Sequence, residues 1–357
     1  MKTSFGINFK VIIITTLVFF LGINWLSAKE KTSKTLVDKK FNISKSALLR
    51  IDHKYGEVNC KNWNEDAISV KVTASIEISD QDKAEKIFSK IRVIVEGSSS
   101  EVSVETDFND NLMGNEKHNL SIKVEIFMPK SVRLAMDHKF GNAYIEVVNG
   151  VSEINSEYGT LEIGSLTAEN SSIEIGFGKG KIQNFVAGEL KVNYSNFEVI
   201  ESKNLHVEAN YSDLSVDKVV TLDIENEGGK LVIGQVDVLQ IDSKFSDCEV
   251  DLLARVLKIE NEYGGFKVRS IQKTLTNLTV ENSFGAVDLY FEPGVTFDFT
   301  AEMSYCTLEY PKDLTNVKSR NVTPTESSYQ GTIGKGTNSG ARVEIVSEYG
   351  GVSINMK

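Results

Sequence analysis

Twelve copies of one short phrase run down this chain: an aromatic residue, a small residue, any residue, then apolar, polar, apolar. The first reads Tyr55-Gly56-Glu57-Val58-Asn59-Cys60 and the last Tyr349-Gly350-Gly351-Val352-Ser353-Ile354. Between them lie copies keyed on Phe140, Tyr158, Phe177, Tyr194, Tyr211, Gly228, Phe245, Tyr263, Phe284 and Tyr305; from Phe140 to Phe245 the spacings are 18, 19, 17, 17, 17 and 17 residues. One copy hides about six apolar side chains at roughly 2 kcal/mol each, whereas ordering its backbone costs roughly 17–34 kcal/mol. A lone copy cannot fold, so the copies must stack and share a core.

Numbered from the aromatic as zero, apolar residues precede it at −6 and −4, as in Leu134/Met136, Leu222/Ile224 and Leu257/Ile259, in strict period-two alternation. After the small residue at +1, alternation resumes one register later, as in Leu161-Glu162-Ile163 and Phe266-Lys267-Val268. The +1 residue is therefore a corner, and glycine there (Gly56, Gly141, Gly159, Gly178, Gly229, Gly264, Gly285, Gly350) suggests bulge-like or positive-φ geometry. A third apolar point at +8 (Val148, Leu166, Phe185, Val219, Leu253) suggests a triangular cross-section. All four prolines lie outside residues 130–292, as a hydrogen-bonded ladder requires. The expectation is an all-β chain: a single-stranded parallel β-solenoid of about twelve short rungs, right-handed by the crossover rule. Parity with −6 and −4 places the aromatic rings inside, as a ladder sealed between rungs.

Position −2 shares that inward parity yet carries Ser156, Asn226, Ser243, Asn261, Asn282 and Ser347. Stacked polar side chains bonding the corner backbone account for it; a ligand-lining ladder is the alternative. In the first two copies the same position holds His53 and His138, each beside an aspartate, and the pair would stack if these rungs adjoin. Metal binding or acid–base work is conceivable there, but the corner role is preferred. His118 and His206 have no evident partner in the sequence.

Residues 1–28 read as a cleaved signal peptide: Lys2 and Lys10 precede an apolar run from Val11 to Leu26, closed by Ser27-Ala28. That run is shorter than the roughly 20 residues of a membrane span, and no cysteine follows it for lipidation, so the mature chain 29–357 is expected to be exported, to periplasm, outer surface or medium, without an integral span. The net charge of −11 becomes −13 without the leader and its two lysines, which argues against nucleic acid as a partner. Cys60, Cys248 and Cys306 fall in three different rungs; the nearest pair in sequence order is three rungs, roughly 14 Å, apart, too far for a disulfide.

Two segments interrupt the repeat. Residues 64–130 contain alternating stretches around Asp80–Ile91, whose helical spacing through Ala84, Ile87, Phe88 and Ile91 suggests a small α/β cap or strands extending the first rung. Residues 311–340, rich in Thr, Ser, Asn and Gly, read as a surface excursion. The exposed +4 residues (Glu162, Lys181, Glu198, Glu249, Lys267 among them) alternate in charge without the paired acids a glycosidase needs. No phosphate-binding glycine loop or zinc-spaced Cys/His set occurs, so no residue is assigned a catalytic, cofactor-binding or metal role.

Tyr55-Gly56-Glu57-Val58 leading to Trp63, the approach Val124–Lys130 to the next rung, and Gly331–Gly340 before Val343–Ile354 together resemble exported bacterial proteins known as putative adhesins, with a β-solenoid domain of uncharacterised function. The resemblance spans about residues 40–357 and implies no catalytic residues. The sequence therefore points to a non-enzymatic cell-envelope scaffold binding a glycan or an envelope or surface protein. The alternative is a carbohydrate-active β-helix enzyme, a polysaccharide lyase or hydrolase.

Overall fold

The computed structural model describes residues 31–78, 80–108, 120–335 and 340–357. The leader expected over 1–28, and His118, lie outside them.

The N-terminal part contains β1 (Lys31–Asn42), β2 (Leu48–Asn62), β3 (Ala67–Glu77), helix α1 (Gln81–Phe88), β4 (Ile91–Gly97), β5 (Glu101–Phe108) and β6 (Ser121–Met128). β2 carries the first copy of the phrase. Its two arms pair in parallel with β5 (Leu48–Asp52 beside Glu101–Glu105) and β6 (Gly56–Asn62 beside Ile122–Met128). β3 runs antiparallel to both β1 and β6, and β4 antiparallel to β5. These strands thus cover the outer edge of the first copy. Helix α1 forms where its apolar spacing predicts, with the Asp80 side chain accepting the Lys83 amide proton at its N-terminus. Its buried Ala84 and Phe88 pack with Ala74 and Ile76 in a small separate core.

The repeats follow as β7 (Arg133–Val148), β8 (Ser152–Leu166), β9 (Ser171–Gly176), β10 (Lys179–Asn193), β11 (Asn196–Asn210), β12 (Asp213–Glu262), β13 (Phe266–Ile271), β14 (Asn277–Ser283) and β15 (Val287–Phe291). Each copy pairs in parallel with the next in the register of the repeat. Gly56 lies beside Gly141 and Gly141 beside Gly159, while Ile182, Val199 and Val216 follow one another across β10, β11 and β12. The apolar residues at −6, −4, +3 and +5 form one continuous core, joined at +8 by Val148, Leu166, Phe185, Val219 and Leu253. The alternation in the sequence is thus the alternation of burial.

The far end departs from sequence order. Here stand β16 (Phe297–Ser304), β17 (Leu308–Glu309), β18 (Thr315–Val322), β19 (Glu326–Ile333), β20 (Ala341–Glu348) and β21 (Val352–Met356). β20 lies in parallel between β14 and β16, and β21 between β15 and β17. The last copy in sequence is therefore inserted between the two that precede it. β19 pairs antiparallel with the other edge of β16 and with β18, so much of segment 311–340 is a hairpin extending the sheet. One consequence is that Cys248 and Cys306 stand four copies apart instead of three; all three cysteines are free thiols.

The architecture is all-β, but the expectation of an exclusively parallel coil requires correction. The described strands join into one mixed sheet of 21 strands, parallel through the repeats and antiparallel toward both ends. The physical reason is edge protection: an open parallel edge would template further pairing, and antiparallel strands cover the outer edges of β5, β6 and β16, leaving, of the parallel strands described, only the two-residue β17 paired on one side. The outermost strands β1, with Lys31, Lys34, Lys39 and Lys40, and β18, with Lys318 and Arg320, carry charge.

Candidate functional site

The aromatic residues at position zero do not point inward. All eleven hold a left-handed backbone, with φ between 50° and 63°, and this reverses the side-chain direction that extended parity assigns. Among them the ten from Phe140 onward are exposed, at 41–60%. The rings stack face to face along the outside of the sheet, with centroids 4.7–5.3 Å apart and planes within 12° of parallel. A non-glycine residue pays about 1–2 kcal/mol for this backbone, and an aromatic pair returns about 0.5–1.5 kcal/mol. The ladder and the strained corner are therefore energetically matched, and the expected sealed interior ladder is replaced by an external one.

The corner glycines also have a different cause from the one expected. Most of those at +1 lack positive φ; what they provide is close backbone approach. A Cβ on Gly159 would stand 1.6 Å from the carbonyl oxygen of Gly141. Where serine replaces glycine, its hydroxyl enters the ladder of bonds: Ser195 Oγ accepts from the Gly178 amide at 3.0 Å, and Ser212 Oγ from the Ser195 amide at 3.1 Å.

The ladder breaks once. Gly228 occupies the aromatic position between Tyr211 and Phe245, dividing the rings into a run of six from Tyr55 to Tyr211 and a run of five from Phe245 to Tyr305. Gly229 next to it lies against the carbonyl of Ser212, and the Asn226 amide bonds Ser246 Oγ, so this copy sits between the two ring-bearing ones.

The polar −2 column has the role expected of it. Asn261 Nδ2 donates to Gly264 O and Asn282 Nδ2 to Gly285 O, both at 2.7 Å, and Ser347 Oγ donates to Gly350 O at 2.6 Å. The column is also linked along its length, Asn261 to Asn282 and Asn282 to Ser347. At its start His53 and His138 are fully buried and stack at 5.2 Å with planes 4° apart. His53 Nδ1 shares a hydrogen with Thr106 Oγ1 at 2.6 Å. Burial, and secondarily the neighbouring His138, pushes the His53 imidazole down to about 3; burial likewise lowers His138. Two neutral stacked rings in the interior suit a structural corner, and among the described residues no group of three or more His, Cys, Asp or Glu could hold a metal.

The outward strand faces are laced by ion pairs one repeat apart, including Lys181–Glu198 at 2.7 Å and Lys191–Glu208 at 2.9 Å, consistent with a solvated surface. His206, without a partner in the sequence reading, pairs with Asp223 at 3.2 Å. The partnership was hidden because the two are seventeen residues apart, one repeat. His206 borders a shallow depression of about 570 Å³ with Glu189 and Ser172.

No family model matches this chain, and no curated protein matches it. Solved structures with some likeness include a putative cell adhesion protein from Clostridium sporogenes ATCC 15579 (13% identity, 92% of this chain and 99% of that one, TM-score 0.19). Others are a putative lipid binding protein from Parabacteroides distasonis ATCC 8503 (9% identity, 90% and 96%, TM-score 0.29) and a putative adhesin from Parabacteroides merdae ATCC 43184 (9% identity, 91% and 96%, TM-score 0.30). Superposition this loose carries no functional argument. Among the described residues no helix is long and apolar enough to cross a membrane.

Proposed function

We propose that this chain is an exported, non-enzymatic β-solenoid scaffold of the cell envelope, which binds a glycan or another envelope protein along its row of exposed aromatic rings. The parallel, repeat-length register from β2 through β15 supports the coil. The observation that carries the binding role is the ladder itself. Burying a large apolar side chain is worth about 1.5–3 kcal/mol, yet ring after ring is turned outward by an unfavourable backbone. A contiguous exposed apolar strip of this kind marks an interaction surface.

The test is a screen of the chain lacking residues 1–28 against a glycan array and against detergent-solubilised envelope proteins, repeated with Tyr211→Ser/Phe245→Ser. A ligand lost in that variant is expected. A ligand bound equally well by it would place recognition elsewhere, and no ligand in either screen would remove the reading.

One observation favours a second reading, a carbohydrate-active enzyme: the His206–Asp223 pair lies beside a depression of about 570 Å³, with Glu189 one repeat away. Incubation with pectin and alginate decides it. Release of reducing ends or unsaturated products that disappears in His206→Ala would replace the binding-only reading.

A further inference from the structure

Stacked rings offer a ligand only their edges, because each face is covered by the next ring. Carbohydrate recognition by aromatics needs a face, on which the axial C–H groups of a sugar can lie. The break at Gly228 exposes one. Phe245 is inside the run of copies, yet it is 60% exposed, the same as Tyr305 at the end of the ladder, whereas the exposed rings covered on both faces lie at 41–56%; Tyr211, across the break, is 55% exposed and shows no such excess. The excess is the face that a ring at position 228 would have covered.

We propose that this break is a binding slot for one pyranose ring of a glycan, seated on the open face of Phe245 and beneath Tyr211. The proposal deepens the binding role above and rests on it. Two strand spacings separate the backbones of the flanking copies, about 9.6 Å, which is the room one ring takes in a ladder whose rings stand 4.7–5.3 Å apart. The slot has the polarity of a sugar turned inside out: apolar above and below, polar at the side. Beside it Glu208, Glu225, Glu227, Asp242, Asn210 and Lys244 line a separate polar depression of about 200 Å³, whose wall includes neither flanking ring. The carboxylates accept and the ammonium donates, which matches the hydroxyl rim of a pyranose. Tyr211 leans toward the slot, its hydroxyl donating to Glu227 Oε1 at 2.9 Å, so this edge of the pocket is already tied in place.

The chain can close the slot by mutation without losing its backbone geometry. Gly228 has φ +73°, close to the values of the eleven aromatics. A Cβ there stands 3.0 Å from Cδ1 of Tyr211, so the ring has only to yield by a few tenths of an ångström. Saturation-transfer NMR on the chain lacking residues 1–28, probed with cellopentaose, chitopentaose, xylopentaose and mannopentaose and with L-arginine amide as a planar cation, tests the slot. At least one pentaose is expected to receive saturation at its axial C–H protons. Its affinity should fall roughly tenfold or more in Gly228→Tyr and in Phe245→Ala, the second guarding against a folding failure in the first. Tyr305→Ala, which removes the open face at the far end of the second run, should leave it unchanged. Binding that survives Gly228→Tyr, or that follows Tyr305, overturns the slot while leaving the scaffold role standing. Saturation of arginine amide alone, or of no probe, overturns a pyranose as the occupant; the envelope-protein screen then decides the scaffold role separately.

Discussion

Acid should weaken this protein through two buried histidines. His53 is fully buried and its imidazole is pushed from 6.5 down to about 3. A lowered histidine favours the neutral ring in the folded state, so its contribution is complete above pH 6.5 and is lost as the pH falls toward 3. At pH 5 the unfolded chain has already taken up the proton that the folded chain refuses, which costs about 2 kcal/mol; at pH 4 the cost is about 3 kcal/mol. His138 is shifted in the same direction and adds to this. Asp52 works against it: burial, then Asp137, raises its carboxyl, so protonation on acidification favours the folded state.

The variant that isolates the effect is His53→Asn/His138→Asn, because asparagine occupies the same −2 position at Asn226, Asn261 and Asn282. Urea unfolding of both proteins at pH 7 and pH 5 gives the loss for each, and the other titrating carboxylates are common to both. Wild type should lose at least about 2 kcal/mol more than the variant over that interval. Losses that agree within about 0.5 kcal/mol would show that the histidines do not stay neutral in the fold, and would refute the reasoning.

The external ladder makes its own prediction: Tyr211→Ala should cost about 1–2 kcal/mol, because it removes one stacking contact and one exposed hydrogen bond, and not the 3–5 kcal/mol of a buried ring. Phe177→Ala, which breaks two contacts, should cost more; chemical denaturation of the two variants checks both values. Thiol labelling under native conditions should modify Cys306 alone, since Cys60, pushed up to about 12 by burial, and Cys248, raised further, are both buried. All three should label in urea, and native labelling of Cys60 would contradict the packing. Truncation after residue 340 removes β20 and β21 and leaves β14 and β16 with open parallel edges. Oligomers on size-exclusion chromatography with light scattering are expected, and a monomer with an unchanged melting temperature would count against the insertion.

Most of the fold was legible because alternation and burial are the same fact. Leu222/Ile224 and Leu257/Ile259 are buried as their parity demands, and the −2 amides of Asn261 and Asn282 bond the corner carbonyls as proposed. The ring direction was not legible from parity, because parity assumes extended backbone through position zero and the left-handed residue there breaks it. One residue did carry the signal. Gly228 stands where every other copy has Tyr or Phe, and a position that accepts glycine in place of a large ring is one where positive φ, not core volume, is the constraint. The slot it leaves was hidden for the same reason: a gap in a ladder has meaning only once the ladder is known to face outward.

The order of copies at the far end lay beyond the sequence for a different reason. The −6 to +5 patterns of the copies keyed on Tyr305 and Tyr349 are interchangeable in periodicity, so either fits beside β14. What separates them is their other edge. β16 is followed by a hairpin, β18 and β19, that pairs antiparallel along its other edge. Placing β20 inside gives it partners on both edges and leaves the other edge of β16 free to meet the hairpin that follows it in the chain. Solvating that edge instead would leave a row of amides and carbonyls available to other chains. Insertion of the last strand is thus the arrangement in which the outer edge of β16 finishes on antiparallel strands bearing charge.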